Sequence, residues 1–371
     1  MSTSSSLPAS VVAIHDAMLD LLWKQWTVLG VAGAASPEDT RWCVDIEALV
    51  LASANLARSD PRLFDEMLDW LRAHAQWVNL QRLRNIRKTP GLGDARVLAA
   101  VSGWLGQRSA LAKWKKLAAE LTAEVKAGAG PATRGERSLE STGAQPVEAA
   151  VPLFVSRHDG APQPVYGMAD PVFLKYGWSR GVIRPRSLSR APNPNVAAAL
   201  SWKLRAFFGV QARCEIVHWL LTHPNGGRAA EVARATCYFP RTVEDALREL
   251  AASGLVQVTS QGRERHYQVR EADWSFLRSW SRPDGFPPWQ DWPRFFALFE
   301  KLNAVLIRFD LSPALRTSEL RRVFDESSGI LIDGGLTGCF PNVSRQRGNS
   351  GNADNFTAAV TTDLSAFLAQ K

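Results

Sequence analysis

Few residues in this 371-residue chain stand at spacings that chemistry uses. Cys214 and His218 lie one helical turn apart, which could begin a two-ligand metal site, although a buried Cys beside a His is the commoner arrangement. The four cysteines, Cys43, Cys214, Cys237 and Cys339, include no C-x-x-C pair. They read as small apolar fillers, not a disulfide framework or a zinc cluster. His15-Asp16 and His158-Asp159 are adjacent pairs, but a metal phosphohydrolase needs more His and Asp at organised spacing, and the chain has six His in all. Asp45-x-Glu47 lacks the Gly-Ser element of a nucleotidyltransferase. H-E-x-x-H, G-x-S-x-G and a Walker A lysine are absent, and ILIDGGLTG at 330–338 lacks the G-x-G-x-x-G spacing. No catalytic residue, metal or cofactor is assigned, and the chain is not expected to be an enzyme.

The arginines are more informative. The net charge of +8 comes from 44 basic and 36 acidic residues, and its distribution is uneven. Residues 151–270 hold 16 basic and 8 acidic side chains, so this interval carries the whole excess. Such a local surplus is the footprint expected of a nucleic-acid surface.

The elements that must position those arginines follow from periodicity. Asn195 is placed to cap a helix to about Phe208, and a second runs from Ala212 to Thr222 with Ile216, Val217, Leu220 and Leu221 inward. A short third helix spans Ala229 to Ala235. A fourth starts at Pro240, with Val243, Leu247 and Leu250 inside and Gly254 as a left-handed cap. The period then changes to two. Leu255, Val256 and Val258 lead through Ser260-Gln261-Gly262-Arg263 into alternating Arg265, Tyr267 and Val269, a hairpin.

This order, with RCEIVHWLL, AAEVARAT, RTVEDALRELAASGLV and RERHYQV, resembles the winged helix-turn-helix of bacterial repressors of the arsenical-resistance-regulator (ArsR) and multiple-antibiotic-resistance-regulator (MarR) type. The resemblance covers about 75 residues, roughly 195–270. It implies that the Pro240 helix enters the major groove and presents Arg241, Thr242, Asp245 and Arg248, with Arg228 near a phosphate and Arg263 and Arg265 on the wing. Arg241 and Arg248 would donate to phosphates or to guanine O6 and N7. Glu244 and Asp245 depart from the family's small polar or basic residues and oppose phosphate binding, though a carboxylate can accept from cytosine N4. The cysteine pair of the metal-sensing subgroup is missing from AAEVARAT.

The expected fold class is mainly α, a central winged helix-turn-helix flanked by helical domains. The expected divisions are a helical domain over 1–125, a linker over 126–150, a basic Pro/Gly-rich arm over 151–194, the winged helix over 195–280 and a mainly helical domain over 289–371. Within the first, Leu63, Met67 and Leu71 mark a helix capped at Asp60-Pro61, and another follows Asn79 with Leu83 and Ile86 inside. The outer face of that second helix would be Gln81, Arg82, Arg84, Arg87 and Lys88, either a second phosphate-contacting surface or an ordinary solvated one. Val151 to Val155 and Val172 to Leu174 read as short strands. Arg180 to Arg190 reads either as an extended arm along a phosphate backbone or as an interdomain connection. In the last domain, Asn342 to Asn355 reads as polar and mobile, and Phe356 to Leu368 as a closing helix.

No run is long enough for a membrane helix, and MSTSSSLPAS has neither a basic n-region nor an apolar h-region, so a cytoplasmic protein is expected. The functional expectation is a repressor-like DNA-binding transcriptional regulator acting on double-stranded DNA as a homodimer. The alternative is a non-enzymatic, antitoxin-like subunit that binds a protein partner through its winged helix.

Overall fold

A computed structural model describes residues 7–33, 41–108, 111–128, 150–262, 264–280, 285–308, 310–347 and 353–369. Among these, 64% are helical and 6% extended, so the protein is mainly α with small sheets. The first six helices are α1 (Ala9–Val28), α2 (Ile46–Leu56), α3 (Pro61–His74), α4 (Leu80–Lys88), α5 (Ala95–Leu105) and α6 (Ala112–Gly128). Four begin at a side-chain acceptor. Asp45, Asp60, Asn79 and Asp94 each accept backbone N–H groups of the first turn that have no partner within the helix. Helix α6 runs three residues into the stretch read as a linker, and 129–149 lie outside the described residues.

Residues 151–194 form a strap across α3. Strand β1 (Val151–Pro152) pairs in parallel with β2 (Trp178–Ser179). Between them, Val172 to Leu174 are not a strand: they lie in a short helix, α7 (Pro171–Lys175), because Asp170 caps it and Pro171 presets its first φ. The strap's arginines are held by carboxylates. Arg157 pairs with Asp60 at 2.6 Å, Arg180 with Asp65 at 2.7 Å and Arg186 with Glu66 at 3.0 Å, while Asp69 accepts the Leu188 N–H at 3.1 Å. Arg180 is buried over the rings of Phe64, Phe154 and Phe173. Arg184, Arg186 and Arg190 of this segment are exposed.

The next module contains α8 (Leu200–Phe208), α9 (Arg213–Thr222), β3 (Gly227–Arg228), α10 (Ala229–Thr236), α11 (Pro240–Ala252), β4 (Gln257–Gln261) and β5 (Glu264–Gln268). Asn195 does not cap α8; a 3-10 turn at Ala197–Ala199 intervenes. The strands form an antiparallel sheet in the order β3-β5-β4. At Gly226, φ is +65° and a Cβ would stand 2.1 Å from the Tyr267 carbonyl oxygen, so only glycine lets β3 approach β5. Leu204, Ile216, Val217, Leu220, Val232, Val243, Leu247, Tyr267 and Trp274 belong to this module's own hydrophobic cluster.

The chain ends in α12 (Trp292–Leu306), α13 (Pro313–Glu326), α14 (Ser328–Asp333), α15 (Pro341–Arg347) and α16 (Ala353–Ala369). Part of the segment expected to be polar and mobile is therefore helix α15, tied down where Asp363 accepts from the Asn342 side chain and the Val343 N–H. Residues 1–125 and 289–371, read as separate flanking domains, share one hydrophobic cluster. Helix α16 packs on α1, and α12 on α2. The reason lies in α12, where Trp292 to Phe299 are buried on every side, so its apolar surface needs partners in more than one direction.

Candidate nucleic-acid interface

The turn between α10 and α11 places the arginines singled out in the sequence. Cys237 adopts a left-handed conformation, φ 59°, and Pro240 occupies the first turn of α11. Val243, Ala246, Leu247 and Leu250 are buried, which turns Arg241, Thr242 and Arg248 outward. All three are exposed. Arg228 stands exposed before α10, and Arg265 is exposed on β5, opposite Ser260 of β4. Arg263 lies outside the described residues.

These guanidinium groups face carboxylates as well as solvent. Arg241 Nε donates to Asp245 Oδ2 at 3.1 Å, and Arg248 Nη1 donates to Asp245 Oδ1 at 3.0 Å. Glu244 lies 3.5 Å from Arg248 Nη2. Arg228 donates to Glu231 on α10 and to Glu264 on β5, at 2.9 and 3.0 Å, and these partners raise its pKa. Asp245 therefore bridges the two arginines of α11. Such pairs are solvated and each contributes little to stability. Their consequence is electrostatic: the face is laid out for donors yet carries its own counter-charges.

At the turn before α11 lies a buried ionic network whose components were not identified from the sequence. Arg82 of α4 binds Asp45 through both terminal nitrogens, at 2.7 and 2.6 Å, and donates to Glu47 of α2 at 2.8 Å. Its Nε donates to the Thr236 carbonyl at the end of α10, 2.9 Å away. Arg205 of α8 donates to Glu47 and to Glu215 of α9, and the Tyr238 hydroxyl donates to Glu215 at 3.0 Å. Against the cost of burial, the carboxylates hold both arginine pKa values well above the ordinary one. The turn before α11 is thus tied to the helical body by charge-assisted hydrogen bonds.

The network corrects the reading of α4. Arg82 is not on an outer face; its side chain is buried, while Arg84 and Arg87 pair with Glu120 and Glu124 of α6. One signal was present in the sequence, since Glu47, Arg205 and Glu215 each interrupt an apolar helical run, where a charge must find a partner. Asp45 and Glu47 are accordingly structural.

The other candidates are accommodated separately. Cys214 Sγ donates to the Gly209 carbonyl at 3.1 Å, and the His218 ring meets the Pro287 carbonyl at 3.1 Å. Burial raises the Cys214 pKa and lowers that of His218 to about 4. His15 Nε2 lies 2.5 Å from Ser59 Oγ, and Asp159 accepts from the Ala161 N–H in a surface turn. No helix among the described residues is long and apolar enough to cross a membrane.

The chain matches no protein-family model, no curated protein and no solved structure.

Proposed function

We propose that this protein is a repressor-like DNA-binding transcriptional regulator that reads double-stranded DNA through residues 195–270, folded as a winged helix-turn-helix. The observation that carries this reading is the exposed row Arg241, Thr242 and Arg248 on α11, whose opposite face is buried in the module's own core. Helix α10, the tight turn at Cys237 and the β4-β5 hairpin beside it support the same assignment. In the major groove, phosphates and base edges would draw Arg241 and Arg248 away from Asp245, leaving its carboxylate to accept from cytosine N4. A homodimer on a two-fold operator is the expected arrangement. Retention of duplex fragments from the region upstream of the protein's own coding sequence tests the reading. Salt-sensitive retention that Arg241→Ala with Arg248→Ala abolishes supports it; no retention at low salt removes it.

A second reading, an antitoxin-like protein-binding subunit, is favoured by one observation: Glu244 and Asp245 cancel the charge of Arg241 and Arg248. A stable protein partner that co-purifies with wild type and is lost in Arg241→Ala would establish it.

A further inference from the structure

A cleft of about 700 Å³ opens between the α9-α10 pair and the turn that follows α14. That volume lies within the range of small-molecule pockets, about 300–1,000 Å³. Three indoles line it, those of Trp42, Trp219 and Trp289. Aromatic faces carry the negative end of the ring quadrupole and attract cations. Arg41, which is not part of the lining, stands with its guanidinium 5.4 Å over the Trp42 ring.

Glu231, Asp291 and Asp333 supply three carboxylates, against one guanidinium, Arg234. His223, stacked 4.0 Å from Trp219, adds no positive charge near neutrality because burial lowers its pKa. Arg228 and Arg294 hold Glu231 and Asp291 from outside the lining, whereas among the described residues Asp333 is paired at 3.5 Å with Arg234. Asp333 is thus the carboxylate most able to turn toward an occupant.

We propose that this cleft binds a planar organic cation, its ring against the indoles and its positive charge toward Asp333. An anion of the same shape would meet the Asp333 carboxylate and the negative faces of the indoles. The inference does not depend on nucleic-acid binding, and its test contains no DNA.

Isothermal titration of the full chain compares N-methylquinolinium with naphthalene-2-sulfonate, planar bicycles of opposite charge. The expected result is saturable binding of the quinolinium, weakened about fivefold or more by Trp289→Ala and by Asp333→Asn, with much weaker binding of the sulfonate. Trp289→Phe, which keeps an aromatic face, retains most of the affinity, and unchanged thermal melting shows that the variants are folded. The proposal is overturned if neither compound binds, if the sulfonate binds as tightly as the quinolinium, or if Trp289→Ala and Asp333→Asn bind the quinolinium as wild type does.

Discussion

Arg205 of α8 and Glu47 of α2 meet as a buried bidentate pair, with Nη1 to Oε1 at 2.8 Å and Nη2 to Oε2 at 2.6 Å. The contact joins the module that carries α11 to the helical body. With Arg82 and Glu215 it fixes where the exposed arginines stand relative to the rest of the protein.

Removing one partner of such a pair leaves an uncompensated buried charge. Glu47→Gln is therefore expected to destabilise the protein by about 3–5 kcal/mol in urea unfolding. A change below about 1 kcal/mol, the value of a solvated surface pair, would contradict the role given to Glu47.

On α11 the carboxylates act against phosphate binding. Asp245→Asn frees Arg241 and leaves Arg248 facing Glu244 alone, so sequence-independent DNA affinity should rise and the plot of log K against log salt should steepen by about one phosphate equivalent. Fluorescence anisotropy over a salt series measures both quantities. Equal slopes for wild type and variant would show that Asp245 does not hold these arginines back from phosphates.

Base readout makes a separate prediction. If Arg248 donates to guanine, Arg248→Ala costs about 1–3 kcal/mol on the preferred site and relaxes discrimination at one base position. If it contacts only phosphate, affinity falls equally on all sequences. Competition between the preferred duplex and single-base variants distinguishes the two outcomes.

Two buried groups give opposite pH signatures. Burial pushes the Glu300 carboxyl from 4.5 up to about 7, so the native state holds that proton more tightly than the unfolded chain. Its contribution is present below pH 4.5 and lost as pH rises through 7, so Glu300→Gln should gain on wild type across that window by up to about 3 kcal/mol. His218, lowered from 6.5 to about 4, has the reverse sign: stability present above pH 6.5 is lost as pH falls toward 4, and His218→Gln should reduce that loss. Urea midpoints of the two variants across pH 4 to 8 check both signs. Parallel curves for wild type and variants would contradict them.

Local signals were legible in the sequence where a short rule determines the structure. Asp60-Pro61, Asn79 and Pro240 mark helix starts, and the change from helical to alternating period marks β4 and β5. Val172 to Leu174 misled because a short apolar run resembles a strand until Asp170-Pro171 is weighed as a cap. Long-range pairing was not legible. Asp45 and Arg82 are 37 residues apart, and nothing local states that they meet. The charge excess in 151–270 was countable, but many of its arginines pair with carboxylates, including Asp65 and Glu66 from outside the interval. A segment count therefore overstates the free positive surface.

The most direct measurement for the central claim is selection from a randomised duplex pool at low salt, with wild type and the Arg241→Ala/Arg248→Ala double variant run in parallel. The account predicts enrichment of a two-fold symmetric motif by wild type, with half-sites about 10 base pairs apart, and its loss in the variant. Recovery of an unselected pool by wild type, or of the same motif by the double variant, would contradict it.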